Sequence, residues 1–201
     1  MRILRLAIVA AAVTGVVIDW VEAGFLASMA YFTIQSNVLV AAYYLYRLSG
    51  RRTSARLKGA VTLVITVTGL IYNTVLTHFG NPFAALAEGT PKDVANFLLH
   101  VVVPVLALAD WLLFDRDLRP RWSDALLWLL YPLAYGIFAV TRGLLLDPAT
   151  PKRYPYPFLD LDVLGWGGLI TNMITYGIGF YLLGLALIAL RRLGTRDAVA
   201  T

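Results

Sequence analysis

A threonine hydroxyl and a histidine ring, each set in an otherwise apolar stretch, are the side chains of this sequence best suited to chemistry. Thr33 lies in the run Tyr31-Phe32-Thr33-Ile34-Gln35-Ser36-Asn37, hydroxyls and amides that open a segment continuing through Val38, Leu39 and Val40. At helical spacing Thr33, Ser36 and Asn37 (i, i+3, i+4) share one face. In the same way Asp93, Asn96 and His100 (i, i+3, i+7) share a face, which places Asn96 to hydrogen-bond the imidazole. Pro104 has no N–H, so the carbonyl of His100 loses its helical partner and the helix is expected to open there. A hydroxyl and an imidazole at similar depth are the ingredients of a nucleophile and its general base. Asn37, Asn73 and Asn172 are candidate donors to an oxyanion, with Asn96 as an orienting group. Arg142, Lys152 or Arg153 could hold a substrate carboxylate, and Gln35, Ser36 and Tyr156 complete the candidate substrate-binding set.

Blander readings stand beside these. A threonine in a membrane helix commonly bonds back to the carbonyl four residues earlier, and a single histidine on an apolar helix commonly serves packing. His78 adjoins the Gly80-Asn81-Pro82 turn and reads as interfacial. Arg142 could equally snorkel to headgroups. Two histidines with no third ligand at diagnostic spacing argue against zinc or haem, so neither metal nor cofactor is expected. With no cysteine, thiol chemistry is out of reach. The serine-elbow, phosphate-loop and zincin signatures do not occur.

The elements that must position these groups follow from composition. The chain has 201 residues, 59% hydrophobic and only 14% charged, in long apolar blocks. That is the profile of an all-α, polytopic membrane protein forming one domain over 1–201. Six spans are expected, over about 1–18, 27–46, 59–77, 93–114, 123–146 and 168–190. The first looks like a signal sequence and reads as a retained anchor. Ser123 is a plausible N-cap, and Pro132 should kink the fifth span. The loop 147–167 carries Tyr154-Pro155-Tyr156-Pro157-Phe158, aromatic enough to lie at the interface.

Six spans put both termini on one side. That side collects Arg2, Arg5, Arg47, Arg51, Arg52, Arg56, Lys58, Arg116, Arg119, Arg121, Arg191, Arg192 and Arg196 of the seventeen Lys and Arg. The other keeps only Lys92, Arg142, Lys152 and Arg153. The positive-inside rule therefore places both termini in the cytoplasm, and the basic charge reads as a topology signal rather than a nucleic-acid footprint. Thr33 then falls roughly 9 Å below the outer end of its span and His100 roughly 10 Å below the outer end of its own. Buried polarity is expected to crowd toward the outside, with Thr62, Thr66, Asp110 and Tyr135 the main exceptions.

Four stretches carry a family resemblance: FTIQSN, LLHVVVPVLALADWLLF, WLLYPLAYGIFAVTRG and YPYPFLD. Together they resemble the androgen-induced and androgen-dependent integral membrane proteins and their bacterial six-span relatives. The resemblance implies threonine hydrolases of fatty acid esters of hydroxy fatty acids, with Thr33 corresponding to the nucleophile and His100 to the base. It also implies a bacterial plasma membrane and a lipid or acyl-ester substrate. The alternative is a membrane protein that binds or transports a lipid or small molecule without catalysis. The sequence leaves the oligomeric state and the helix packing order open.

Overall fold

Inside a bilayer every backbone N–H and C=O needs a partner within the protein, so long apolar runs become helices. The computed structural model describes residues 1–81, 83, 86 and 89–196, the side chains of 194–196 excepted, so Arg196 lies outside the described side chains. The helices are α1 (Arg2–Ala23), α2 (Phe25–Ser28), α3 (Phe32–Leu48), α4 (Ala55–Ile71), α5 (Pro91–Phe97), α6 (Val103–Leu113), α7 (Asp124–Trp128), α8 (Leu130–Leu145) and α9 (Leu161–Arg196). A π-helical turn, Tyr72–Leu76, extends α4, and a second, Leu98–Val102, joins α5 to α6. No strand occurs among the described residues.

Among the described residues five stretches are long and apolar enough to cross a membrane: Arg2–Ala23, Ala55–Leu76, Pro91–Leu113, Asp124–Leu145 and Leu161–Leu193. The expected second span, 27–46, is not continuous. Gly24, at φ 84°, ends α1 with its N–H on the Trp20 carbonyl, and the chain turns through 29–31 before α3 starts at Phe32. With 17 residues, α3 is only about 25 Å long. The last helix also differs from expectation. It starts at Leu161 rather than near 168, is interrupted at Gly165 (φ 62°, ψ 174°), and shortens the preceding loop to 146–160.

The outward faces are apolar. On α9, Ile170, Ile174, Ile178 and Leu182, each four residues from the next, are all more than half exposed. Such a stripe suits hydrocarbon and would be a liability in water. Inside, α4 lies between α3, α6 and α9, while α1 covers α3 and the α5–α6 rod. Close approach is bought with small residues, Gly59 and Gly69 among them. The Trp128 ring lies where a side chain on Gly59 would be, and a Cβ on Gly69 would meet Pro104 Cβ at 2.9 Å and the His100 carbonyl at 3.1 Å. Pro132 coincides with an interruption of the fifth span. Its missing N–H leaves the Trp128 carbonyl without a helical partner, and the rod breaks into α7 and α8 at Leu129.

The expectation that buried polarity crowds one side fails at the end carrying Arg5 and Arg191. There Arg5, Lys58 and Asp110, all buried, form a charge cluster with Asp115, Arg47 and Arg191. Lys58 Nζ lies 2.7 Å from Asp110 and 3.0 Å from Asp115, and Arg5 Nε donates to Asp110 at 2.9 Å. Arg191 donates to the carbonyls of Trp111, Phe114 and Asp115 at the C-terminus of α6. The basic residues that read as topology markers thus also stitch α1, α3, α4, α6 and α9 together. Breaking one partner of such a buried set costs about 3–5 kcal/mol, whatever its net worth.

Candidate active site

The break before α3 changes what Thr33 can do. Thr33 is the second residue of α3, so no helical turn precedes it and the back-bonded role has no carbonyl in place. Instead of lying well below a span's end, its backbone N–H belongs to the exposed donors of a helix N-terminus, where partial positive charge favours a developing anion. The turn is held from afar: Tyr135 Oη donates to the Ala30 carbonyl at 2.9 Å, and Gln35 Nε2 donates to the Met29 carbonyl at 2.8 Å.

His100 sits in the π turn of the α5–α6 rod and is buried. Its carbonyl, freed by Pro104, accepts from Asn73 Nδ2 of the π turn after α4 at 3.2 Å. Asn96 reaches the ring through its backbone rather than through its side chain: His100 Nδ1 lies 3.0 Å from the Asn96 carbonyl oxygen. A carbonyl only accepts, so Nδ1 carries the proton and the neutral ring presents a lone pair at Nε2. Tyr72 stacks on the imidazole with centroids 3.8 Å apart and planes 17° from parallel, which fixes the ring's plane.

Thr33 Oγ1 and His100 Nε2 are 3.1 Å apart. With the tautomer set, the hydroxyl donates to the ring, within the range expected of a nucleophile and its base. Tyr156, from the loop before α9, completes the cluster. Its Oη lies 3.3 Å from Thr33 Oγ1 and accepts from the Thr33 N–H at 3.4 Å. Burial lifts the Tyr156 phenol above its ordinary value of 10.0, despite the lowering effect of Thr33, so it stays protonated at neutral pH.

Thr33, His100 and Tyr156 border a cavity of about 200 Å³ enclosed by α3, α4, α8, α9 and the 3₁₀ turn Pro157–Leu159. Its remaining wall is mostly aliphatic and aromatic, including Val67, Ile71, Met173 and Phe180. Leu133 both lines the cavity and is half exposed, so the chamber reaches the outer face of α8 there. Comparison with known protein families, with curated proteins and with solved structures returned no match.

The other sequence candidates hold the scaffold. Asn37 Nδ2 donates to the carbonyls of Thr33 (2.8 Å) and Leu99 (3.4 Å), Asn73 to those of Gly69 and His100, and Asn172 to that of Phe158. None of the three amides lines the cavity. Ser36 is fully buried between the Thr33 carbonyl and Thr68, and Gln35 also accepts from Tyr131. Arg142 donates to the Arg153 carbonyl and Arg153 pairs with Asp162, so these two cations fasten the loop that delivers Tyr156. Neither they nor Lys152 borders the cavity. Among the described residues no three His, Asp or Glu side chains gather as a metal site requires. Sequence reasoning missed Tyr72 and read Tyr135 as polarity away from the site, whereas its hydroxyl holds the Ala30 carbonyl and its ring lines the cavity. Aromatic residues on apolar helices are ordinary core, and only their contacts set these two apart.

Proposed function

We propose that this protein is an intramembrane ester hydrolase with Thr33 as nucleophile and His100 as general base. The observation that carries the reading is the hydrogen-bonded pair at 3.1 Å, its tautomer dictated by the Asn96 carbonyl, at the polar end of an apolar chamber. Thr33 Oγ attacks the acyl carbonyl carbon while His100 Nε2 takes its proton. The tetrahedral oxyanion is met by the N-terminal amides of α3 and the Tyr156 hydroxyl. The C–O bond to the leaving alcohol then breaks, His100 returns the proton to that alcohol, and an acyl-threonine remains. Water, deprotonated by His100, attacks this ester, releasing a carboxylic acid and restoring the Thr33 hydroxyl.

The substrate class we propose is a lipid ester, as the resemblance to threonine hydrolases of fatty acid esters of hydroxy fatty acids implies and as the apolar chamber supports. The carboxylate-anchoring part of that expectation is dropped, because Arg142 and Arg153 are committed to the loop. We also propose six membrane crossings, with α3 as the short sixth, and both termini on the cytoplasmic face of a bacterial plasma membrane. The basic residues gathered at the end holding Arg5 and Arg191 support that orientation.

The test is hydrolysis of p-nitrophenyl esters by the purified protein in lipid vesicles, with Thr33→Ala and His100→Ala variants. Each variant should lose at least about 10³-fold, and the double variant little more, as groups acting as a unit do. Undiminished turnover in either would end the assignment. A wild-type protein that binds acyl lipid but turns nothing over would favour the binding or transport reading.

A further inference from the structure

Resting on the hydrolase reading, we infer that the acyl group this site takes is a single uncharged chain of roughly eight carbons, and that Gly177 sets this length. The volume is the first argument. An apolar cavity of about 150 Å³ takes one benzene ring, so about 200 Å³ accommodates roughly eight carbon atoms. It is smaller than the about 300–1,000 Å³ that encloses a drug-sized ligand, so the chamber holds one chain and the alcohol part of the ester lies outside it.

The lining is the second argument. Among the described residues no Asp, Glu, Lys or Arg borders the cavity. The hydroxyls of Tyr135 and Thr68 are spent on the carbonyls of Ala30 and Val64. The phenols of Tyr72 and Tyr176 also border the chamber, but Thr33, His100 and Tyr156 are the lining groups that bring hydroxyls and a ring nitrogen within hydrogen-bond distance of one another, so an ester carbonyl is best met there and its chain lies in the largely apolar remainder. A carboxylate carried into that chamber would find no cation.

The α9 wall carries the remaining observation. On α9, Met173, Gly177 and Phe180 (i, i+4, i+7) share the face that lines the chamber. A Cβ built on Gly177 meets nothing within 4 Å. The glycine therefore leaves room without being demanded by helix packing, and a side chain placed there would occupy chamber space alone. Gly179, two residues on, is also unobstructed but is exposed and does not line the cavity.

The experiment compares p-nitrophenyl butyrate, octanoate and palmitate with wild type, Gly177→Leu and Gly179→Leu in lipid vesicles. Wild type should peak near octanoate. Gly177→Leu, which puts four carbons into the chamber, should lose octanoate turnover at least tenfold while keeping butyrate turnover within about twofold. Gly179→Leu should match wild type. An octanoyl ester bearing a terminal carboxylate should be slower than its neutral counterpart by at least about 100-fold, because an unpaired charge is costly in an apolar site. A flat wild-type chain-length profile, equal loss of butyrate and octanoate in Gly177→Leu, or indifference to the terminal carboxylate would each overturn the inference while leaving the hydrolase in place. Should Gly177→Leu fail to fold, the wild-type profile and the carboxylate comparison still decide it. Absence of any turnover in wild type would remove the hydrolase reading, and this inference with it.

Discussion

Replacing Tyr156 with Phe removes one oxygen from the site and leaves the ring. The ring is held independently of that oxygen. It stacks on Phe158 at 5.1 Å with planes 6° apart and meets Tyr31 and Tyr135 edge-on. The geometry bounds the magnitude. Oη makes two contacts to Thr33, at 3.3 and 3.4 Å, both at the long end for hydrogen bonds. A well-placed oxyanion donor contributes about 10²–10³-fold, and a long, shared one less. The expected loss in kcat is therefore about 10–30-fold, or about 1.4–2 kcal/mol. The Thr33 N–H, left partly unsatisfied, costs about 1 kcal/mol of stability. Steady-state hydrolysis in lipid vesicles, paired with a thermal-unfolding scan, separates the two effects. Unchanged kcat would refute a role for the phenol at the attacking oxygen. A loss as deep as that of Thr33→Ala, with a large drop in Tm, would show that the phenol only holds the loop in place.

Gly69→Val should cut activity by on the order of 100-fold, because its Cβ would press on Pro104 and the His100 carbonyl and move the imidazole by a fraction of an ångström to an ångström; kcat at retained expression checks this. Asp110→Ala leaves Arg5 and Lys58 short of a partner in the interior and should destabilise the fold by about 3–5 kcal/mol, read from detergent-solubilised unfolding. Asp115 supplies the pH dependence. Desolvation pushes its carboxyl up, but Lys58, Arg5 and Arg47 outweigh this and hold it below the ordinary 3.8. A depressed folded-state value means the stabilisation is complete above 3.8 and is lost as pH falls through the lower, folded-state value. Tm should thus be insensitive to this group from neutral pH down to about 4 and fall below that. Asp115→Asn should lower Tm at neutral pH and blunt the acid-side fall, and an unaltered acid limb would contradict the assignment.

Much of the scaffold was legible in the sequence, because hydrocarbon tolerates only internally satisfied backbone and so forces apolar runs into helices. The blocks around Ile8, Leu63, Ala107, Ala139 and Leu187 could be read that way. Local chemistry was legible too. Pro104 predicted the opening at His100, and Pro132 predicted the break between α7 and α8. The interruption before α3 was not legible. Residues 27–46 are apolar enough to run on, and what stops them is remote: a Tyr135 hydroxyl 105 positions away takes the Ala30 carbonyl.

Sequence alone, then, determined an all-helical membrane protein and nominated an alcohol and an imidazole, since residue type and hydrophobic spacing are properties of the chain itself. Tertiary structure decided that Thr33 opens a helix, that the Asn96 carbonyl selects the histidine tautomer, and that Tyr156, 123 residues from Thr33, joins them. It also turned the asparagines and Arg142 from site candidates into scaffold. Those outcomes depend on which donors and acceptors meet once the helices pack, and no spacing along the chain encodes that.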